Sequence, residues 1–210
     1  FFSGVSRWPV FLLQRGFQSR VPLQQQADLL QDTLTWIQDI VFRQRVATNY
    51  TSALGNGNPF LHGKAAMILT NLFEQAGWEH KPEDMAVLPM PFGETESTLL
   101  QSNALAIPQE SADRPLAKAF MQVAFDMQVQ HQMATQTPFL SLYEQVNLDA
   151  KGSAYLETIH ADAAHIQRGE HLSRLFKGDF LRDLQYHMAL YWLGLQSVDE
   201  VMANLDLEHQ

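Results

Sequence analysis

Apolar residues recur at steps of three and four along most of this chain, and that spacing restricts it to amphipathic helices packed on one another. Leu30, Leu34, Ile37 and Val41 mark a first helix between Gln24 and Arg45, with Arg43 and Arg45 in its last turn. Ala65 to Phe73 resumes helical character until Gly77, after the turn-forming run Gly55-Asn56-Gly57-Asn58-Pro59. Asp113 and Pro115 open a further helix, along which Leu116, Phe120, Ala124, Met127, His131 and Ala134 share one face. A short piece carries Leu140, Leu142 and Tyr143, and a turn is expected over Asn147 to Gly152. A sixth helix is predicted over Ser153 to Phe176, with Gly178 ending it, and a long one from Asp179 to Leu195, closed by Gly194. Ser197-Val198-Asp199-Glu200 has the form of a capping box opening a short terminal helix. The expected fold is therefore an all-α bundle of about six to seven helices in a single domain over residues 1–210.

Two stretches break the pattern. Residues 81–115 contain Pro82, Pro89, Pro91, Gly93, Pro108 and Pro115, and read as an irregular excursion in which Met85 to Met90 and Ala104 to Ile107 form two short strands. A connection of that length serves as a lid, a binding loop or a partner-docking segment. Residues 1–23 read as an amphipathic arm docked through Trp8, Phe11, Leu12 and Phe17. The same residues carry Arg7, Arg15 and Arg20 before the first acid, Asp28, which also fits part of an organelle-import segment; otherwise a cytoplasmic location is favoured.

Composition narrows the function classes. A formal charge of -9 opposes a broad phosphate-binding surface, so nucleic acid is not an expected partner. The longest apolar runs, Val10 to Leu13 and Ala65 to Leu69, fall far short of the ~20 residues of a membrane span. The absence of cysteine leaves His, Asp, Glu and Met as the available metal ligands. Nucleophile elbows and nucleotide-binding glycine loops are missing.

Histidine is abundant, and His131, His160, His165, His171 and His187 cluster in the later part of the chain. Projected at ~100° per residue, Ile159, Ala163 and Ile166 define the apolar side of the sixth helix. Asp162 and His165 lie near that side, Glu170 falls within it, and Glu157 and His160 turn away. On the following helix Phe180, Leu184, His187 and Tyr191 share a stripe with Asp183 close by, while His131 sits on the stripe of the fourth helix. Asp162, His165, His187, His131 and Asp183 are thus expected to meet as a buried His/carboxylate metal site.

The run Asp162-Ala-Ala-His165-Ile-Gln-Arg-Gly169-Glu170 resembles the second carboxylate-x-x-His helix of ferritin-like di-iron carboxylate proteins. The resemblance implies that Asp162 and His165 are ligands to non-haem iron, with Glu144 or His131 as a further ligand; on the reading from the residues themselves, His187 and His131 are ligands and Asp183 orients one or is a further ligand. It covers nine residues, and the first half of the chain holds no Glu-x-x-His. The implied function is a helical-bundle metalloprotein, an iron oxidase or oxygenase or a degenerate relative. The alternative is a non-catalytic subunit, binding a partner protein or peptide, or another copy of itself, through the arm and the 81–115 segment. A third reading is an apolar-ligand domain lined by Met121, Met127, Met133, Phe120 and Phe125.

Overall fold

The computed structural model describes residues 7–48, 58–70, 85–86, 88, 90–91, 93–100, 105–111, 113–137, 139–151, 168–171, 175–176, 178–205 and 207. Among them are seven α-helices: α1 Pro9–Gln14, α2 Ala27–Gln38, α3 Arg114–Ala124, α4 Met127–Gln136, α5 Glu144–Lys151, α6 Gly178–Trp192 and α7 Val198–Asn204. The fold is all-α, as expected, with one pair of short strands, β1 Ser97–Leu100 and β2 Arg168–His171, hydrogen-bonded in parallel. The chain forms two compact units, each assembled from separated stretches: residues 1–69, 91–101 and 165–210, and residues 70–90 and 102–164.

The first unit holds the hydrophobic core. Pro9 at the first turn of α1 supplies a helical φ without wasting an amide donor. The helix ends where Gly16 adopts φ 95°, with Gly16 N donating to Leu13 O and Phe17 N to Leu12 O, the paired bonds of a Schellman cap. Leu12, Leu13, Trp8 and Phe17 are buried in the core rather than lying over its surface. Leu30, Leu34, Ile37 and Val41 meet them from α2 and the π-turn Asp39–Arg43 that follows it. Phe180, Leu184, Met188, Tyr191 and Trp192 contribute from α6, and Val198 and Val201 from α7. Phe176 is the aromatic hub, with ring centroids 6.3 Å from Trp8, 6.0 Å from Phe17 and 5.7 Å from Phe180.

The segment leading into β1 is tied to the end of α1. The last carbonyls of a helix lack intrahelical donors; here Thr95 Oγ1 donates to Leu13 O at 2.6 Å and Thr95 N to Gln14 O at 2.9 Å. Gly93 passes so close that a Cβ there would stand 3.0 Å from Gln14 O and 3.2 Å from Gln14 Cβ, which explains a glycine at that position.

Among the described residues of the second unit, buried amides tie α4 to the loop before α5. Gln130 Oε1 accepts from Ser141 Oγ and Leu142 N, while Gln130 Nε2 donates to Ala124 O at 2.8 Å. Asn147 on α5 closes the same loop, accepting from Ser141 N at 2.6 Å and donating to Ser141 O at 3.0 Å. Val146 and Ala134 are buried beside them.

Several expected boundaries move. The strand within 81–115 is Ser97–Leu100, and the described residues of 85–90 and 105–107 have no regular structure. Its partner, Arg168–His171, lies inside the segment expected as the sixth helix, so a helical projection does not apply to Gly169 and Glu170. The expected fourth helix is cut in two at Asp126, whose extended backbone lets its carboxylate accept from Gln128 N and cap α4. Residues 65–70 are not helical, and α5 runs through the position expected as a turn at Asn147.

Candidate functional site

Asp183 and His187 stand one turn apart on α6, in the first unit. The buried stripe of that helix passes through Phe180, Leu184, Met188 and Tyr191, which leaves His187 on its half-buried shoulder and Asp183 exposed. His187 Nδ1 is 3.1 Å from Gln196 Oε1, and the edge of its ring meets Tyr186 at 5.2 Å. Asp183 Oδ1 lies 3.6 Å from Arg182 Nε, a guanidinium that also reaches Asp179 at 2.8 Å. This aspartate faces solvent and a cation, which corrects the expectation that it turns inward beside His187.

His131 is likewise exposed, in the second unit, where the inward positions of α4 are Gln130 and Ala134. The stripe drawn from Leu116 to Ala134 is itself exposed at Leu116, Phe120 and Met127, and His131 follows those residues outward. Glu144 opens α5 and is exposed. Asp162 and His165, with Glu157 and His160, lie outside the described residues. Among the described residues no three His, Asp or Glu side chains gather closely enough to hold a metal ion.

An open depression of about 320 Å³ lies in the first unit between the π-turn after α2 and the junction of α6 with α7. Phe42, Tyr191, Gln196 and Glu200 line it. The side chains of Tyr191, Gln196, Ser197 and Glu200 there are engaged in structural hydrogen bonds. The Tyr191 hydroxyl donates to Leu34 O at 2.8 Å, and burial holds the phenol above its ordinary pKa. Glu200 Oε2 accepts from Ser197 N at 2.8 Å and Ser197 Oγ at 3.0 Å, bonds that hold its carboxyl below the usual range. Ser197 Oγ in turn accepts from Glu200 N, completing the capping box. Gln196 Oε1 is occupied by His187.

The feature that helical spacing did not anticipate is the surface of α3. Leu116, Phe120 and Val123 are 66%, 64% and 59% exposed, and Met127, the next step along, is 60% exposed. No residue of α3 is buried; Ala117, Met121 and Ala124, on its inner side, are half-buried. The apolar stripe that spacing assigned to a core or ligand pocket therefore faces solvent. Isolated exposed apolar residues are ordinary, but an aligned row of them on one helix marks a contact surface. Nothing in a single sequence separates a stripe turned toward its own core from one turned toward another molecule. Compared with family models, curated proteins and solved structures, the chain matches none.

Proposed function

We propose that this chain is a non-catalytic, partner-binding helical protein that docks through the exposed stripe of α3. The observation that carries the reading is the solvent exposure of Leu116, Phe120 and Val123 on a helix that buries no residue of its own. Rows of residues at i, i+4 and i+7 engage other helices by ridge-into-groove packing, or lie in an apolar groove. The docking role falls on α3 rather than on the first residues, because Trp8, Leu12 and Phe17 are core residues. Pro91, Thr95 and Ser97 are held to the end of α1, and α3 begins where the irregular stretch ends.

The engagement of Tyr191, Gln196 and Glu200 in structural hydrogen bonds supports the same choice over a catalytic reading of the depression. The test is a photo-reactive amino acid placed at position 120 of the full chain, with position 118 as control, irradiated in the cells that make the protein. The reading expects a discrete protein cross-link from position 120 and none from position 118. Equal labelling at both positions, or no protein product from position 120, would overturn it.

A further inference from the structure

Gln130 on α4 is buried, and its side-chain amide joins three pieces of chain. Its Oε1 accepts from Ser141 Oγ at 3.1 Å and from Leu142 N at 3.2 Å, and its Nε2 donates to Ala124 O at 2.8 Å. A primary amide carries a second hydrogen on that nitrogen, and here it faces the Sδ of Met133, 3.9 Å away and three residues later on the same helix. A thioether is a weak acceptor, so a buried donor is underused at this point. From this contact we infer that Met133 is an oxidation site, at which a hydroperoxide converts the thioether to a sulfoxide that the Gln130 amide then holds.

The dimensions suit the product. An oxygen ~1.5 Å from sulfur and ~2.9 Å from nitrogen, with a bend of ~120° at the oxygen, spans ~3.9 Å between the two. That is the separation already present, so the sulfoxide oxygen enters the contact without moving Gln130. Met133 is 42% exposed, which admits the oxidant. Sulfur donates a lone pair to the terminal peroxide oxygen, the O–O bond breaks, and the departing oxygen leaves with the proton as water or an alcohol; sulfur loses two electrons and the peroxide gains them. Methionine oxidation ordinarily places a polar group among apolar ones and loosens the packing. At Met133 the new oxygen instead meets a donor that lacked a strong partner, and the join between α4 and the loop before α5 tightens. Met127 on the same helix is 60% exposed, and its sulfur accepts no hydrogen bond among the described residues, which makes it the internal comparison.

The test treats the folded full chain with millimolar hydrogen peroxide and maps the sulfoxides by peptide mass spectrometry. NMR then follows the Gln130 side-chain amide and the Leu142 backbone amide, with Met133→Leu as the comparison. The proposal expects a sulfoxide at Met133, a downfield move of the Gln130 Nε2 proton signals, and exchange of the Leu142 N–H slowed about fivefold, the factor one added hydrogen bond supplies. In Met133→Leu, where Met127 still oxidises, neither signal should respond. Leucine conserves the volume of a partly exposed methionine, so the variant keeps the fold, which circular dichroism verifies. Met133 left unoxidised while Met127 is converted would overturn the site. A Met133 sulfoxide that leaves both amides unchanged, or that speeds Leu142 exchange, would overturn the capture by Gln130. The same response in Met133→Leu would assign it to another methionine and overturn the proposal as well.

Discussion

Replacing Phe176 by alanine tests the core where it is most specific. The ring is buried and lies within 6.3 Å of the centroids of Trp8 and Phe17, from the segment around α1, and of Phe180 on α6. Removing it forfeits the transfer free energy of a buried aromatic, roughly 2–3 kcal/mol, and leaves a cavity that rigid neighbours fill only in part. The expected loss is about 3–5 kcal/mol, of which each aromatic pair accounts for roughly 0.5–1.5 kcal/mol. At about 2–4 °C per kcal/mol for a chain of this size, the melting temperature should fall by about 10 °C. Urea unfolding followed by tryptophan fluorescence is the suitable assay, because Trp8 lies against the deleted ring and reports on the unit that contains it. Phe120→Ala is the matched control: the same atoms leave an exposed site on α3, and the expected change is within about 0.5 kcal/mol. A loss below about 1.5 kcal/mol for Phe176→Ala would refute the aromatic hub, and a loss above that for Phe120→Ala would refute the exposed stripe.

Three further outcomes follow from individual contacts. Tyr191→Phe deletes the donor to Leu34 O and should cost about 1–1.5 kcal/mol in chemical denaturation. Because burial raises the phenol's pKa in the folded state, its contribution is complete below the unfolded value of about 10 and is lost as pH rises past it. The alkaline limb of a stability-pH curve should accordingly be shallower in Tyr191→Phe, and an unchanged limb would contradict the assignment. Ser197→Ala removes the cap of α7 and should cost about 1 kcal/mol. The depressed carboxyl of Glu200 stabilises above its unfolded pKa and ceases to do so as pH falls through its folded value, so acid titration should lose that component in the variant. Gly93→Ala drives a methyl against Gln14 and should destabilise by roughly 1–3 kcal/mol; a neutral result in thermal melts would show that Pro91, Thr95 and Ser97 are not held at the end of α1.

Local signals were legible wherever a helix both starts and stops on residues of its own. The row Leu30, Leu34, Ile37 and Val41 is buried as its spacing implies. Gly194, at φ 72°, ends α6 with Leu195 N donating to Leu190 O and Gly194 N to Tyr191 O. Ser197 and Glu200 form the expected reciprocal cap. The strand pair was not legible because it joins Thr98 to Gly169 across a long stretch of chain, and neither four-residue segment has an alternating pattern of its own. A helical period drawn through Arg168–His171 therefore placed Glu170 on a face that does not exist there.

The candidate site failed to be legible for a related reason: spacing alone does not tell which of two neighbouring positions on a helix is covered. His131 continues the exposed row of Leu116, Phe120 and Met127, while its neighbour Gln130 points inward. On α6 the same one-position offset separates buried Met188 from half-buried His187. For α3 the apolar side was read correctly and its surroundings were not, since periodicity identifies a face without saying what covers it. Its neighbours in the second unit, Gln130 and Asn147, spend their buried contacts on loop hydrogen bonds, which fix the backbone of α4 and α5 without requiring an apolar lid. Those bonds engage polar groups and leave the row Leu116, Phe120 and Val123 outside the buried residues. In a chain of charge -9 that uncharged row is a place where a second molecule can approach without like-charge repulsion at the point of contact.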